Sequence, residues 1–183
     1  MATKPSALPV ATSNVNRHLR GETNEVQVYV DGNVVINQGD LIIIEAVDGS
    51  GQQGNINYAG FPASWCKGCT HSYFGHSFVG IAMNSSPSGT TGNIAVATTG
   101  IFRFPVSAAN GQTVSTGYIV SGATYGASGT SVFSQKITPQ SAANTSRALP
   151  RIGMVVRGQK ATTTVDFQLM GRFSGTTDYS FPL

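Results

Sequence analysis

The residues best suited to chemistry lie in one short stretch, which reads W-C-K-G-C-T-H-S-Y-F-G-H over positions 65–76. This stretch holds both cysteines of the chain, Cys66 and Cys69, and two of its three histidines, His71 and His76. Zinc takes thiolate and imidazole ligands in a tetrahedron, and Cys-x2-Cys is a common half of such a site. The four side chains are therefore a candidate metal site, and zinc is the one candidate cofactor.

Other uses of the two thiols are open. Four ligands drawn from one short segment would be strained, because structural zinc sites usually take their second pair of ligands from a distant part of the chain. A redox dithiol needs a helix directly after Cys-x-x-Cys, and no helical period follows here. Covalent haem attachment needs histidine directly after the second cysteine, where Thr70 stands. A transient disulfide is a further use, as are semi-buried thiols in an aromatic loop, a packing role that we favour over zinc.

The carboxylates show no pattern typical of catalysis, which usually needs two of them in one pocket. Asp31, Asp40 and Asp48 are predicted in turns, where a carboxylate accepts hydrogen bonds from its own backbone. Glu45 and Asp166 are predicted in strands, where an exposed or ion-paired role is expected. The sequence also lacks a nucleophile elbow, a Walker-type phosphate-binding loop and a zinc-protease helix motif, so we predict that the protein is not an enzyme.

Composition and charge narrow the class of partner. Only 10% of the 183 residues are charged, against roughly 25% in a typical soluble domain. Such a surface favours a protein whose faces are covered in an assembly. The 11 basic residues are scattered singly, whereas nucleic-acid binding needs a clustered patch, so no nucleic-acid partner is predicted. The longest apolar run, L-I-I-I at 41–44, is far too short to span a bilayer, so no membrane partner is predicted.

The chain divides into an arm, a body and a tail. Residues 1–24 are polar and without a period, and they are predicted to form an extended N-terminal arm that orders against a neighbour. Residues 25–173 are predicted to form a single β domain, interrupted by a long glycine-rich loop insertion at about 49–76. Residues 174–183 are predicted to form a C-terminal tail.

Short strand patterns separated by glycine-rich turns fill the body. E-V-Q-V-Y-V at 25–30 alternates, and the D-G-N that follows is typical of a hairpin turn. L-I-I-I-E-A-V at 41–47 is typical of a strand that is buried on both faces. Positions 93–106 indicate two strands, or one strand bent at Gly100, whereas 121–130 is typical of a turn. About seven or eight such strands predict an all-β fold, a compact β-barrel or β-sandwich that is β-tulip-like.

The apolar positions of these strands form the predicted core, and no function is predicted for them. Two closely spaced cysteines without an export signal predict no structural disulfide framework, so this core must stabilise the fold. Its members are Val26, Val28, Ile42, Ile44, Val79, Ile81, Val96, Phe102, Phe104, Val155, Phe167 and Leu169.

An ordered set of segments in the body resembles a family of small capsid cement, or decoration, proteins of tailed bacteriophages. The segments are G-D-L-I-I-I (39–44), V-G-I-A (79–82), T-G-N-I-A-V-A-T-T-G-I-F-R-F-P-V (91–106), G-Y-I-V (117–120), R-I-G-M-V-V (151–156) and T-T-V-D-F-Q-L-M-G (163–171). The resemblance rests on their order and spacing, and it covers residues 25–48 and 77–173. The arm and the insertion lie outside it, so it implies nothing about the cysteines.

The resemblance implies a β-rich, commonly trimeric protein without enzymatic activity. It implies a structural virion protein that binds the outer surface of the icosahedral phage head and clamps neighbouring major capsid proteins, which stabilises the capsid. The expected partners are the major capsid protein and further copies of the chain in a homotrimer. The N-terminus shows no apolar segment typical of a secretory signal, so the protein is expected to be made in the host cytoplasm before it joins the virion.

Two groups of residues are candidate capsid contacts. The first lies in the arm, where its members could bind acidic capsid surfaces: Arg17, His18 and Arg20. The second is aromatic and crowds the insertion, and such side chains dominate many interfaces: Phe61, Trp65, Tyr73 and Phe74. Two alternative functions stay open on the insertion, a zinc-binding module and a decoration domain that binds the host or a glycan.

Overall fold

The computed structural model describes residues 18–20, 22–44, 49–53, 77–106, 113–125, 132–141, 151–158 and 163–170. Eleven strands have their bounds within these residues. They are β1 (His18–Arg20), β2 (Glu25–Val30), β3 (Leu41–Ile44), β4 (Gly51–Gln53), β5 (Phe78–Ala82), β6 (Gly92–Ala97), β7 (Thr99–Pro105), β8 (Ile119–Tyr125), β9 (Val132–Gln140), β10 (Gly153–Arg157) and β11 (Thr164–Met170).

The strands form two antiparallel sheets. The first has six strands in the order β1-β7-β11-β10-β8-β9, and the second has five in the order β2-β6-β5-β3-β4. Contacts between distant strands show that the sheets curl. In the six-stranded sheet, Val106 after β7 bridges Ile137 of β9. In the five-stranded sheet, β4 reaches back to β2, where a Cβ on Gly51 would meet Val28. The predicted all-β barrel or sandwich is therefore confirmed.

Two hydrophobic cores share the middle strands of the five-stranded sheet. Leu41 and Ile43 of β3 lie in the first core, which is formed by residues of both sheets. Ile42, between them, lies in the second core, which is formed by the five-stranded sheet and its turns alone. Because successive side chains of a strand point to opposite faces, one short strand contributes to both cores. The prediction that L-I-I-I is buried on both faces is confirmed.

Aromatic packing fills the first core. Phe104 and Phe167 meet edge to face with ring centroids 5.6 Å apart, a favourable arrangement for two aromatic rings. Phe102 lies directly opposite Phe167 across β7 and β11. Ten of the twelve predicted core residues are buried, while Val26 and Ile44 are partly buried and pack against the second core.

The chain crosses from one sheet to the other at Thr98, between β6 and β7. The Thr98 backbone N–H donates to the Asn24 carbonyl at 2.7 Å, and the Asn24 N–H donates to Thr99 Oγ1 at 2.9 Å. Gly100 has a φ of 127°, which glycine adopts far more readily than residues with a Cβ. The prediction of two strands in this stretch is confirmed, but they separate at Thr98, and Gly100 lies inside β7. The bounds of the arm, the insertion and the tail stay predictions, although His18–Arg20 forms β1.

Asp31 and Asp40 form the turns predicted for them, and Asp48 lies outside the described residues. The turn at Asp31 does not make a hairpin. Asp31 accepts a hydrogen bond from the Gly32 N–H at 2.7 Å, and Asp40 accepts one from the Asn37 N–H at 2.8 Å. The residues after Asp31 do not return along β2, which pairs with β6 instead. The hairpin prediction was wrong because Ile36 is drawn into the second core and bridges Ser86.

The turn predicted at 121–130 was wrong over its first half, and β9 was missed. β8 continues to Tyr125 and pairs with β9 along its whole length. Serine and glycine in β8, and Pro139 in β9, are poor strand formers. Their pairing places Val120 and Ile137 in the first core, and tertiary burial outweighs the local preference.

One side chain joins the two sheets by hydrogen bonds. The register between β8 and β9 shifts after Gly122, and this bulge places Gln135 in the interior, 3% exposed. The Leu41 N–H donates to Gln135 Oε1 at 2.6 Å, and Gln135 Nε2 donates to the Leu41 carbonyl at 3.3 Å. The side chain thereby satisfies both polar backbone groups of a buried residue on the opposite sheet.

Gln135→Ala is expected to lower the free energy of unfolding by about 1–3 kcal/mol, because two buried backbone groups lose their partner. Gln38→Ala, at an exposed turn position, serves as the control and should change stability by less than about 0.5 kcal/mol. Urea unfolding followed by tryptophan fluorescence measures both. Equal stability of the two variants would show that the Gln135 bonds contribute nothing.

At Gly80, the backbone of β5 lies very close to the backbone of β6. A Cβ at this position would collide with the Ala97 carbonyl oxygen of β6. Gly80→Ala is therefore expected to cost about 2–3 kcal/mol through overpacking. Gly92→Ala is the matched control, because nothing lies within 4 Å of the added Cβ. The same unfolding experiment applies, and a Gly80→Ala protein as stable as the Gly92→Ala protein would contradict the close approach.

Candidate interaction surface

Most of the predicted site residues lie outside the described residues. These are Arg17, Phe61, Trp65, Cys66, Cys69, His71, Tyr73, Phe74 and His76. His18 and Arg20 lie in β1, opposite Phe102 and Ile101 of β7. Among the described residues, no group of three or more His, Cys, Asp or Glu side chains is placed to hold a metal ion, and no helix there is long and apolar enough to cross a membrane. The zinc site and the capsid contacts stay predictions.

A row of uncharged side chains crosses the outer face of the six-stranded sheet. Its members are directly opposite one another on five neighbouring strands: Ile101, Gln168, Met154, Ile119 and Gln140. Alternation places them outside, since their neighbours in sequence, such as Phe102 and Val155, point into the first core. Met154 is 43% exposed. An apolar centre on a solvent-facing sheet is typical of a contact surface.

An ion pair lies beside this row. Arg103 Nε donates to Asp166 Oδ1 at 2.7 Å, and its NH2 group donates to Asp166 Oδ2 at 3.0 Å. This two-point geometry is the strong form of an arginine–carboxylate contact. The side chain of Asp166 is 8% exposed and that of Arg103 46%. The expectation that Asp166 is exposed or ion-paired is met by the ion pair.

Arg157 flanks the same carboxylate from the other side. A bulge in β10 between Val155 and Arg157 places Arg157 opposite Asp166, and its side chain is exposed. Arg103 is bonded to this carboxylate, and Arg157 adds an exposed positive charge beside the ion pair. The hydrogen bond from Arg103 to Asp166, together with the negative charge of that carboxylate, raises the pKa of Arg103 above its usual value.

Further basic side chains lie toward the other end of the sheet. Lys136 is exposed on β9, and Arg151 is exposed just before β10. The surface formed by the uncharged row together with Arg103, Lys136, Arg151 and Arg157 is called the basic face below. It has an uncharged centre and charged surroundings, which is the arrangement typical of protein–protein interfaces.

The outward side of β2 carries the opposite charge. Glu25, Gln27 and Tyr29 are exposed at every second position, and the strand is followed by the half-buried Asp31. Tyr29 is 50% exposed, and an exposed tyrosine is a frequent anchor of interfaces. These four residues are called the acidic stripe below. Val28 and Val30, which alternate with them, are buried in the second core.

Charge divides between the two sheets. Residues 22–98, which contain β2 to β6, hold six carboxylates and one basic residue, Lys67. Residues 99–170, which contain β7 to β11, hold six basic residues and one carboxylate, Asp166. The division does not show as a run of like charges, because the charged residues of each group are separated in the sequence. Net charge counted separately for each group of strands would have found it. The scattered basic residues predict no nucleic-acid partner, and this stays a prediction.

Comparisons with known proteins give a structural similarity but no family. No family model matches the chain, and no curated protein matches it. Among solved structures, the chain is similar to the head fiber gp8.5 N base of bacteriophage phi29, with a TM-score of 0.42 and 8% sequence identity. The similarity covers 80% of this chain and 94% of that chain.

Arg103→Ala is expected to lower the Tm, because it leaves the Asp166 carboxylate on the sheet without its two hydrogen bonds. Arg157→Ala is the matched control: within the described residues Arg157 forms no ion pair, so its loss should leave the Tm nearly unchanged. Differential scanning fluorimetry at low salt gives both values. A fall in Tm of the same size for both variants would contradict the assigned pairing.

Proposed function

We propose that the chain is a structural, non-catalytic protein of a bacteriophage virion. In this proposal it binds the outer surface of the icosahedral head and clamps neighbouring major capsid proteins. The resemblance to capsid cement proteins supports it, because its segments coincide with strands of both sheets. G-D-L-I-I-I contains β3, V-G-I-A lies within β5, and the longest segment, 91–106, contains β6 and β7. The resemblance therefore concerns the buried scaffold, and not only its turns.

The observation that carries the proposal is a pair of exposed surfaces on one small domain. One lies on the sheet whose segment is rich in carboxylates, and the other lies on the sheet whose segment is rich in basic residues. The basic face and the acidic stripe each combine exposed charge with an exposed large hydrophobic side chain, Met154 or Tyr29. A protein of this kind is suited to holding several neighbours at once. A ligand that binds only the assembled lattice stabilises that lattice by mass action, and several linked contacts strengthen the binding further.

The capsid contacts proposed from the sequence remain part of this proposal. Arg20 and His18 lie in β1 at the edge of the six-stranded sheet, so a capsid surface that binds this edge also meets the residues that precede it. The aromatic group of the insertion is proposed to supply the second contact. No cofactor is required for either contact, and the protein is proposed to fold in the host cytoplasm before it joins the head.

The test is co-sedimentation of the purified chain with empty, expanded heads of the phage that encodes it. We expect saturable binding to expanded heads and a raised temperature of head disassembly. A variant that lacks residues 1–17 keeps β1 and should bind about tenfold more weakly, because it loses Arg17 and the arm before it without losing the body. Absence of the full chain from the head pellet would refute the proposed function.

A further inference from the structure

The two contact surfaces carry opposite charge, so each is a suitable partner for the other. The acidic stripe has Glu25 and Asp31 near its ends and no basic residue between them. The basic face has a single carboxylate, and that one is bound by Arg103. We propose that the acidic stripe of one copy docks on the basic face of a second copy of this chain. This contact goes beyond the proposed function, and it rests on that function only for the expected number of copies in the assembly.

The spacing of charges is similar on the two surfaces. Glu25 begins β2 and Asp31 directly follows it, whereas Arg157 ends β10 and Arg151 lies two residues before that strand begins. At about 3.3 Å of rise per residue the acidic pair spans roughly 20 Å, and the basic pair spans less, because β10 has a bulge between Val155 and Arg157. Two carboxylates can therefore lie against two guanidinium groups in a single docking, and such complementarity steers association and fixes the register of the partners.

Each surface also has an exposed apolar side chain between its charges. Tyr29 is 50% exposed on the stripe, and Met154 is 43% exposed on the basic face. They are two of the three exposed large hydrophobic residues among the described residues. Contact of a tyrosine ring with a methionine thioether is favourable. Burial of both side chains in the contact removes two of these three residues from solvent.

The geometry of the contact determines the kind of assembly. The stripe and the basic face are different surfaces of one copy, so the contact is head to tail. After one contact, one copy still has an unused basic face and the other an unused acidic stripe. Such contacts either close into a ring or continue as a filament. A ring of three copies uses every stripe and every basic face, and it agrees with the homotrimer expected for the proposed function.

The first measurement is sedimentation velocity of the full chain in the absence of heads. The wild type is expected to sediment as a trimer at low salt and to dissociate as salt rises, because exposed charges are screened. Two reversal variants test the surfaces: Arg151→Glu with Arg157→Glu, and Glu25→Lys with Gln27→Lys. Each is expected to weaken self-association by about tenfold or more, because attraction becomes repulsion. Ser88→Glu with Thr90→Glu, at exposed turn positions, controls for added charge and should still form trimers.

The decisive measurement is an equimolar mixture of the two reversal variants. The first variant has two acidic surfaces and the second has two basic surfaces, so neither should bind itself, whereas each should bind the other. The mixture is therefore expected to form complexes that neither variant forms alone. Recovered association in the mixture also shows that both variants are folded, and circular dichroism of each variant provides a second check.

Three results would overturn the docking. They are a wild type that is monomeric at micromolar concentration and low salt, reversal variants that form trimers as the wild type does, and a mixture that stays monomeric while both variants are folded. Binding of an acidic capsid surface or of nucleic acid to the basic face, without self-association, would also overturn it. The proposed function fails separately, since it is measured by binding to heads.

Discussion

The rest of the molecule depends on the burial of one four-residue strand on both of its faces. β3 contributes Leu41 and Ile43 to the core between the sheets and Ile42 to the core of the five-stranded sheet. A strand in this position has no solvent side on which a polar group could be hydrated, so its backbone must be fully bonded. Gln135 of the six-stranded sheet supplies hydrogen bonds to both the N–H and the carbonyl of Leu41. The two sheets are thereby fixed to each other by a polar contact inside an apolar interior, and a slip of one relative to the other would leave buried groups unpaired.

The features that the sequence predicts correctly are those in which local and tertiary preferences agree. Local pattern and burial agree for the alternation of β2, the continuous apolar run of β3 and the two strands between 93 and 106, and the structure contains all three. The errors occur where the two preferences conflict. Asp31 and Gly32 form a turn that looks like a hairpin, but the chain beyond it is used to close the second core. Ser121 and Gly122 of β8 are poor strand formers, yet β9 and β10 pair with that strand on both sides.

The candidate surface was less predictable than the fold, for a related reason. A cluster of cysteines and histidines attracts attention because its members are neighbours in sequence. The basic face has no such signature, since Arg103, Lys136 and Arg157 are brought together only by strand order. What the sequence does contain is the division of charge at the point where the chain passes between sheets. This division allows a protein with little net charge to carry two strongly different surfaces, and it keeps opposite charges apart on the folded molecule.

The crossing at Thr98 also determines how mechanical force enters the molecule. The chain from β1 passes residues 22–24, which are hydrogen-bonded to Thr98 and Thr99, before it reaches β2. A pull on the chain before His18 is therefore resisted first by the β1–β7 pairing and then by these bonds at the junction of the two sheets. The five-stranded sheet and its core are protected from the load until both have broken. A protein attached through its N-terminal segment would thus transmit tension into the six-stranded sheet, while the second core stays folded.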